Sequence, residues 1–183
     1  MRFVNIGHNC TIGRQLYRMK LKNCNYPFDN TATSHSMLVN MLNTDFKDVF
    51  SNQTEFMCET TGFKMMHQLQ NMLSNEFYEK YNRRLQRFRE LRNCDTKIIF
   101  LRYLSQDSVE LSNNTIQNYN SVHQALKNFG FNNYDLYYAT NNISIDHPKF
   151  FGMYGKLPEV EPWNGNDEDW NNWIAKIIKY NEN

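Results

Sequence analysis

No Cys-x-x-Cys pair occurs among the four cysteines, Cys10, Cys24, Cys58 and Cys94. That argues against a zinc ribbon and against a thioredoxin-type redox site. No charge of one sign dominates, since the formal net charge is +1. No strong field therefore draws the chain to nucleic acid or to acidic lipid, and neither is expected as a partner. No apolar run approaches the length of a membrane span. No signal-peptide pattern is seen, because Met1 and Arg2 lead straight into a strand pattern. A reducing, cytoplasmic setting with free thiols is the expectation. The sequons at Asn9, Asn52, Asn113 and Asn142 then read as chance products of an asparagine-rich chain. Without a repeat, a long linker or a low-complexity segment, residues 1–183 read as a single domain large enough for a real core.

What the chain does have is aromatic volume. Phe, Tyr and Trp make up 15% of residues, so rings must fill much of the core. The pattern predicts a buried strand over 2–7, a helix over 11–20 and a second helix over 34–43 capped by Thr33 or Ser34. Phe46, Val49 and Phe50 form a short apolar turn. The segment 54–67, split by Gly62, reads as two strands of a hairpin. Phe77, Tyr81, Leu85, Phe88 and Leu91 recur at helical spacing within a helix over 75–92 that Ser74 caps. The arginines interleaved with them, Arg83, Arg84, Arg87, Arg89 and Arg92, read as a solvated face. Residues 97–104 are nearly all apolar, as in a strand covered on both sides. A helix over 115–128, a strand over 134–140, an edge strand over 149–154 and a last helix from Asp167 to Tyr180 complete the chain. A strand–helix–strand unit implies a parallel crossover. The expected fold is α/β, a mostly parallel open sheet with helices on both faces, with an α+β papain-like arrangement as the alternative.

The stretch Phe3-Val4-Asn5-Ile6-Gly7-His8-Asn9-Cys10-Thr11-Ile12-Gly13 reads as strand, tight turn and helix, with Cys10 at the helix N-terminus. Unpaired N–H groups and the helix dipole favour an anion there. A thiol so placed is expected to have a lowered pKa, which suits a nucleophile. A buried cysteine in such a turn is equally a packing residue. A nucleophile also needs a base, and the histidines are His8, His35, His67, His123 and His147. His35 and His123 fall inside helical patterns and read as packing or surface residues. His67 ends the stretch Phe63-Lys64-Met65-Met66, and His147 lies in a loop between Asp146 and Pro148. Asp29 follows Tyr26-Pro27-Phe28, where an aspartate also serves simply to close a turn.

Gly7-His8-Asn9-Cys10, then Leu16 through Leu21, then Tyr26-Pro27-Phe28-Asp29, then a helix ending in Asp45-Phe46, resembles the opening of the putative papain-like cysteine peptidases. That family opens on Leu-Gly-x-Asn-Cys and continues to Tyr-Pro-Phe-Asp. Further likeness runs from Glu79-Lys80-Tyr81-Asn82-Arg83-Arg84-Leu85 through Arg87-Phe88 to Lys97–Arg102, and into Trp163-Asn164-Gly165 and Trp170. The resemblance implies that Cys10 is the family's cysteine, Asp29 its motif aspartate and His67 the histidine of its His-Asp pair. Here Gln68 replaces that second aspartate, and Asn30 replaces the aromatic residue that follows Pro-Phe-Asp. More loosely, Asp146-His147-Pro148 is similar to the late Asp-x-x-His block of SGNH-type esterases, at a different spacing.

These observations lead to a cysteine-nucleophile hydrolase or acyl-transfer enzyme acting on a peptide or small acyl substrate, with no metal or organic cofactor. Cys10 attacks a carbonyl carbon. His67 is the base, with His147 in reserve, and Asp29 orients the imidazole or shapes the pocket. Backbone N–H groups at Cys10 and Thr11 receive the oxyanion, with His8 and Asn9 beside them. The rival expectation is a non-catalytic α/β module holding an anionic or sugar-type ligand at the same strand–turn–helix.

Overall fold

Strand β4 (Ile98–Leu104) organises the fold, and all seven of its residues are buried. In the computed structural model the described residues are 1–7, 10–47, 49, 64–65, 75–104, 115–141, 145, 147–153 and 166–182. β4 lies between β1 (Arg2–Asn5) and β5 (Tyr134–Asn141), and β6 (Phe150–Met153) follows β5. All three pairings in the order β1-β4-β5-β6 are parallel. This is the expected α/β sheet and not the α+β alternative. Successive side chains of a strand point to opposite faces, and β4 divides its residues accordingly. Ile98, Phe100 and Leu104 enter one core with α2 (His35–Asn43), α3 (Asn75–Glu90) and α4 (Thr115–Phe129). Ile99, Leu101 and Tyr103 enter the other with α1 (Thr11–Arg18) and α5 (Asp167–Glu182). Helices thus cover both faces.

Local chemistry sets the element ends. Ser34 caps α2, its hydroxyl accepting the Met37 N–H at 3.3 Å. α1 stops two residues short of the expected 20, because Lys20 turns left-handed (φ 57°). The N–H of Leu21 then closes on the carbonyl of Leu16 at 2.9 Å, a Schellman-type ending. One short strand was not expected. β2 (Thr31–Ala32) pairs antiparallel with β3 (Lys64–Met65). The strand at 64–65 pairs with residues 32 to 34 positions upstream, Thr31 facing Met65 and Ala32 facing Lys64. The rest of the segment 54–67, with Phe50 and Ser74, lies outside the described residues. No helix among the described residues is long and apolar enough to cross a membrane.

Phe88 sits at the centre of the first core and is fully buried. Its ring meets Phe28 at 5.7 Å, Phe46 at 5.8 Å, Phe129 at 5.4 Å and Phe131 at 5.3 Å between centroids. These contacts join α3 to the 26–29 loop, to the turn after α2 and to the end of α4. Phe88→Ala leaves a cavity that all four neighbours line. The expected loss is about 3–5 kcal/mol, which lowers Tm by roughly 6–20 °C in a chain of this size. A thermal melt checks it, and an unchanged Tm contradicts the central placing of this ring.

Candidate active site

The C-terminal end of β1 carries the candidate site. Asn5, the last residue of β1, is fully buried. Its side-chain oxygen accepts the Gly7 N–H at 3.0 Å, and its amide nitrogen donates to the Phe28 carbonyl and to Asp29 Oδ1, each at 3.3 Å. Gly7 then takes φ +89°. A Cβ there would sit 2.9 Å from Thr33 Cβ and 3.5 Å from Arg102 Nη1, so glycine is required on both conformational and steric grounds. Cys10 follows as the N-cap residue of α1, and its carbonyl accepts the Arg14 N–H at 3.1 Å. The expected strand–turn–helix order with Cys10 at the helix start is present.

The thiol of Cys10 is half-buried. Burial pushes its pKa above the ordinary thiol value; the pull of its own backbone N–H and of the Arg14 guanidinium is smaller. The expected lowering is thus reversed in this environment. Desolvation disfavours the thiolate more than one helix end and one exposed arginine favour it.

Asp29 is the anchor of this region. Its carboxylate and the Lys22 ammonium pair at 2.7 Å with side chains only 1% and 4% exposed. Oδ1 also accepts from Asn5, and Oδ2 accepts the Tyr26 N–H at 2.7 Å. Both oxygens are thus engaged, by Lys22, Asn5 and its own loop. α1 passes directly over this carboxylate. A Cβ on Gly13 would stand 2.5 Å from Asp29 Oδ1 and 3.3 Å from Lys22 Nζ. Gly13 is thus the point where helix and motif loop touch. Asn30, in the place of the family's aromatic residue, takes φ +65°, a conformation asparagine tolerates well.

The run from Arg83 to Arg92 divides: Arg83 and Arg92 are exposed, as its charge suggests, whereas Arg84 and Arg87 turn inward. Arg84 is 2% exposed and donates to the Asp29 carbonyl at 3.2 Å. Burial pulls its guanidinium below the ordinary value, against the opposing charge of Asp29. Arg87 donates twice to the Asn25 carbonyl, at 3.3 and 2.9 Å. Arg102, fully buried on β4, donates to the Ile6 carbonyl and to the Thr33 carbonyl, both at 2.9 Å. Three buried or half-buried guanidinium groups thus fasten the 25–29 loop, the end of β1 and the start of α2 to one another. Arg102, Arg84, Asn5, Gly13 and Lys22 were not singled out from sequence. The available signal was a charged or polar residue inside an otherwise apolar run, which applies to Arg102 and Asn5.

The histidines separate. His147 lies just before β6, at the opposite edge of the sheet from β1. Three strand spacings of about 4.8 Å put those edges roughly 14 Å apart. Its ring packs on Tyr119 at 5.0 Å and Phe150 at 5.2 Å, in the layer opposite to α1. Burial, then Lys149, pushes its pKa down. The fold does not bring His147 to Cys10, because sheet order and face both keep them apart. His35 bonds Ser121 Oγ at 3.0 Å and His123 bonds the Tyr134 hydroxyl at 3.1 Å, both as packing residues. Thr11 is buried beside Cys10. His8, Asn9, His67, Asp146 and Cys58 lie outside the described residues. Among the described residues no three His, Cys, Asp or Glu side chains gather to hold a metal.

A parallel α/β sheet with a half-buried cysteine on the first strand–helix turn defines the class of site. A family model described as "Putative papain-like cysteine peptidase (DUF1796)" matches residues 1–62. That is the family the N-terminal motifs resemble, and the match takes in β1, Cys10, Asp29 and α2 but stops short of His67 and α3. No curated protein and no solved structure matches the chain.

Asp29→Asn removes one member of a buried pair and strands the Lys22 ammonium. The expected loss is about 3–5 kcal/mol. Gly13→Ala, which in an ordinary helix interior stabilises by ~1 kcal/mol, here destabilises. Urea unfolding of both variants tests this. A stabilised Gly13→Ala protein, or an Asp29→Asn protein of native stability, contradicts the described packing.

Proposed function

We propose that the chain is a cysteine hydrolase or acyl-transfer enzyme with Cys10 as nucleophile. The observation that supports this reading most is the half-buried thiol on the first turn of α1, directly after the first strand of a parallel sheet. Ligands and reacting groups gather at such strand ends. In the proposed reaction Sγ attacks the carbonyl carbon of an amide or ester, and an S–C bond forms. The developing oxyanion is received by the backbone N–H groups of Cys10 and Thr11, beside His8 and Asn9. The scissile bond breaks, and the leaving group departs with the proton that His67 took from the thiol. Water then adds to the thioester while His67 takes one of its protons, the S–C bond breaks, and His67 passes that proton to sulfur. Asp29 acts through Asn5 and Gly13 on the placing of the turn. Residues 8–11 hold a peptide or small acyl substrate in this reading.

The raised thiol pKa bears on the choice of base. With the groups described around it, Cys10 holds its proton more tightly than an exposed thiol does. A neighbouring imidazolium is the agent that reverses this. The same raised pKa favours the second reading, in which the turn holds an anionic or sugar-type ligand and the sulfur stays protonated.

The pH profile of Cys10 alkylation by iodoacetamide, read by peptide mass spectrometry, separates the two. On the enzyme reading Cys10 reacts faster at neutral pH than Cys24, Cys58 and Cys94. His67→Ala moves the midpoint of its profile upward, because the thiolate loses its cation. Equal reactivity of all four thiols, together with an unmoved profile in His67→Ala, sinks the Cys10–His67 pair and favours the ligand-binding reading.

A further inference from the structure

The edge of the sheet farthest from Cys10 carries a concave pocket of about 60 Å3 between β6 and α5. Tyr137, Lys149, Phe151, Trp173, Lys176 and Tyr180 form its walls. Trp173, Lys176 and Tyr180 fall on one face of α5 by their spacing. The walls are aromatic, with Phe151 stacked on Trp173 at 6.4 Å. They are also cationic. Lys149 Nζ lies 4.3 Å from the centre of the Tyr137 ring and 4.8 Å from that of Tyr180, and Lys176 Nζ lies 5.4 Å from that of Phe151. Asp135 is shared by Lys97 at 2.7 Å and Lys149 at 2.9 Å, so one carboxylate answers two ammonium groups. Lys176 makes no ion pair among the described residues, and the pocket keeps a positive balance.

The hydroxyl of Tyr137 points to the missing partner. The residue is only 4% exposed. Its oxygen accepts from Lys149 Nζ at 3.0 Å and from Asn181 Nδ2 at 3.0 Å. Both are pure donors, so the phenolic hydrogen is left to donate elsewhere. Asn181 cannot turn over to take it. The same Nδ2 donates to the Ile177 carbonyl at 2.9 Å, and a flipped amide would set oxygen against oxygen. Asn181 Oδ1 is itself buried without a hydrogen-bond partner. An O–H of a buried tyrosine without an acceptor among the described residues, beside the Lys149 ammonium and in a pocket that Lys176 also lines, is complementary to an anion's oxygen.

We propose that this pocket binds a small organic carboxylate, whose oxygens accept from the Tyr137 hydroxyl, Lys149 and Lys176 while its apolar body lies against Phe151 and Trp173. The volume admits only a few water-sized units, at on the order of 15 Å3 each, so the body is short or flat. A free acid and the C-terminal carboxylate of a peptide present the same group. The site does not depend on Cys10 or on any hydrolase activity.

Benzoate serves as the probe for a free acid, acetyl-phenylalanine for a chain end, and benzamide as the neutral control. Quenching of tryptophan fluorescence, through Trp173 in the wall, reads binding. Saturable binding of either acid with Kd on the order of 1 mM, and none of benzamide, is expected. The tighter of the two acids names the source. Tyr137→Phe weakens binding about tenfold, as expected for a hydrogen bond to a charged group. Lys176→Met, at an exposed position that leaves the core untouched, weakens it as well. No saturation by either acid, equal binding of benzamide, or native affinity in Lys176→Met overturns the proposal.

Discussion

The buried ion pair between Asp29 and Lys22 is the constraint around which the N-terminal third is built. Two charges withdrawn from water are tolerable only when their remaining hydrogen-bond capacity is met. Here Asn5 and the Tyr26 N–H complete the carboxylate, and Gly13 lets α1 close over it. Each partner has a second task. Asn5 holds the Gly7 N–H, Tyr26 begins the motif loop, and Gly13 sits one turn into the helix that Cys10 starts. The N-terminal motif and the Tyr-Pro-Phe-Asp motif, 16 residues apart between Cys10 and Tyr26 in the chain, therefore form one polar knot under the thiol.

The arginines extend that knot to the rest of the sheet. Arg84 and Arg87 reach from α3 to carbonyls of the 25–29 loop, and Arg102 reaches from the central strand to carbonyls of Ile6 and Thr33. Carbonyls at loop and strand ends lack ladder partners, and burying them unpaired is costly. A guanidinium supplies several donors in one rigid plane and can serve two of them at once. The end of β1 that leads to Cys10 is thereby tied to β4, to the motif loop and to the residues before α2. Such pre-organisation is what a nucleophile or an anion-binding turn needs.

The elements were legible because their signals are local and repeated. The stripe from Phe77 to Phe88 predicted α3, and the apolar run ending at Leu104 predicted the double-sided central strand. What escaped was long-range. Thr31–Ala32 carries too few residues to show a period, and it is a strand only because Lys64–Met65 lies alongside. The arginines of α3 read as surface because charge runs usually are; the burial of Arg84 and Arg87 depends on carbonyls more than 50 residues away. Asp29 reads from its motif as an orienter or a pocket-shaping residue, and its contacts with Asn5 and Lys22 are ones that sequence spacing does not reveal. His147 was plausible in a loop, and only the strand order and the two-layer packing separate it from Cys10.

The central claim is that the end of β1 leading to Cys10, through Gly7, is fixed by buried side chains to the same degree as the sheet itself. Native-state hydrogen exchange at Gly7 tests it most directly, since that N–H bonds to the Asn5 side chain and not to a neighbouring strand. The account predicts that Gly7 exchanges as slowly as Ile99, Phe100 and Leu101, and opens only when the sheet opens. Exchange of Gly7 at loop rates, with β4 still protected, would contradict it.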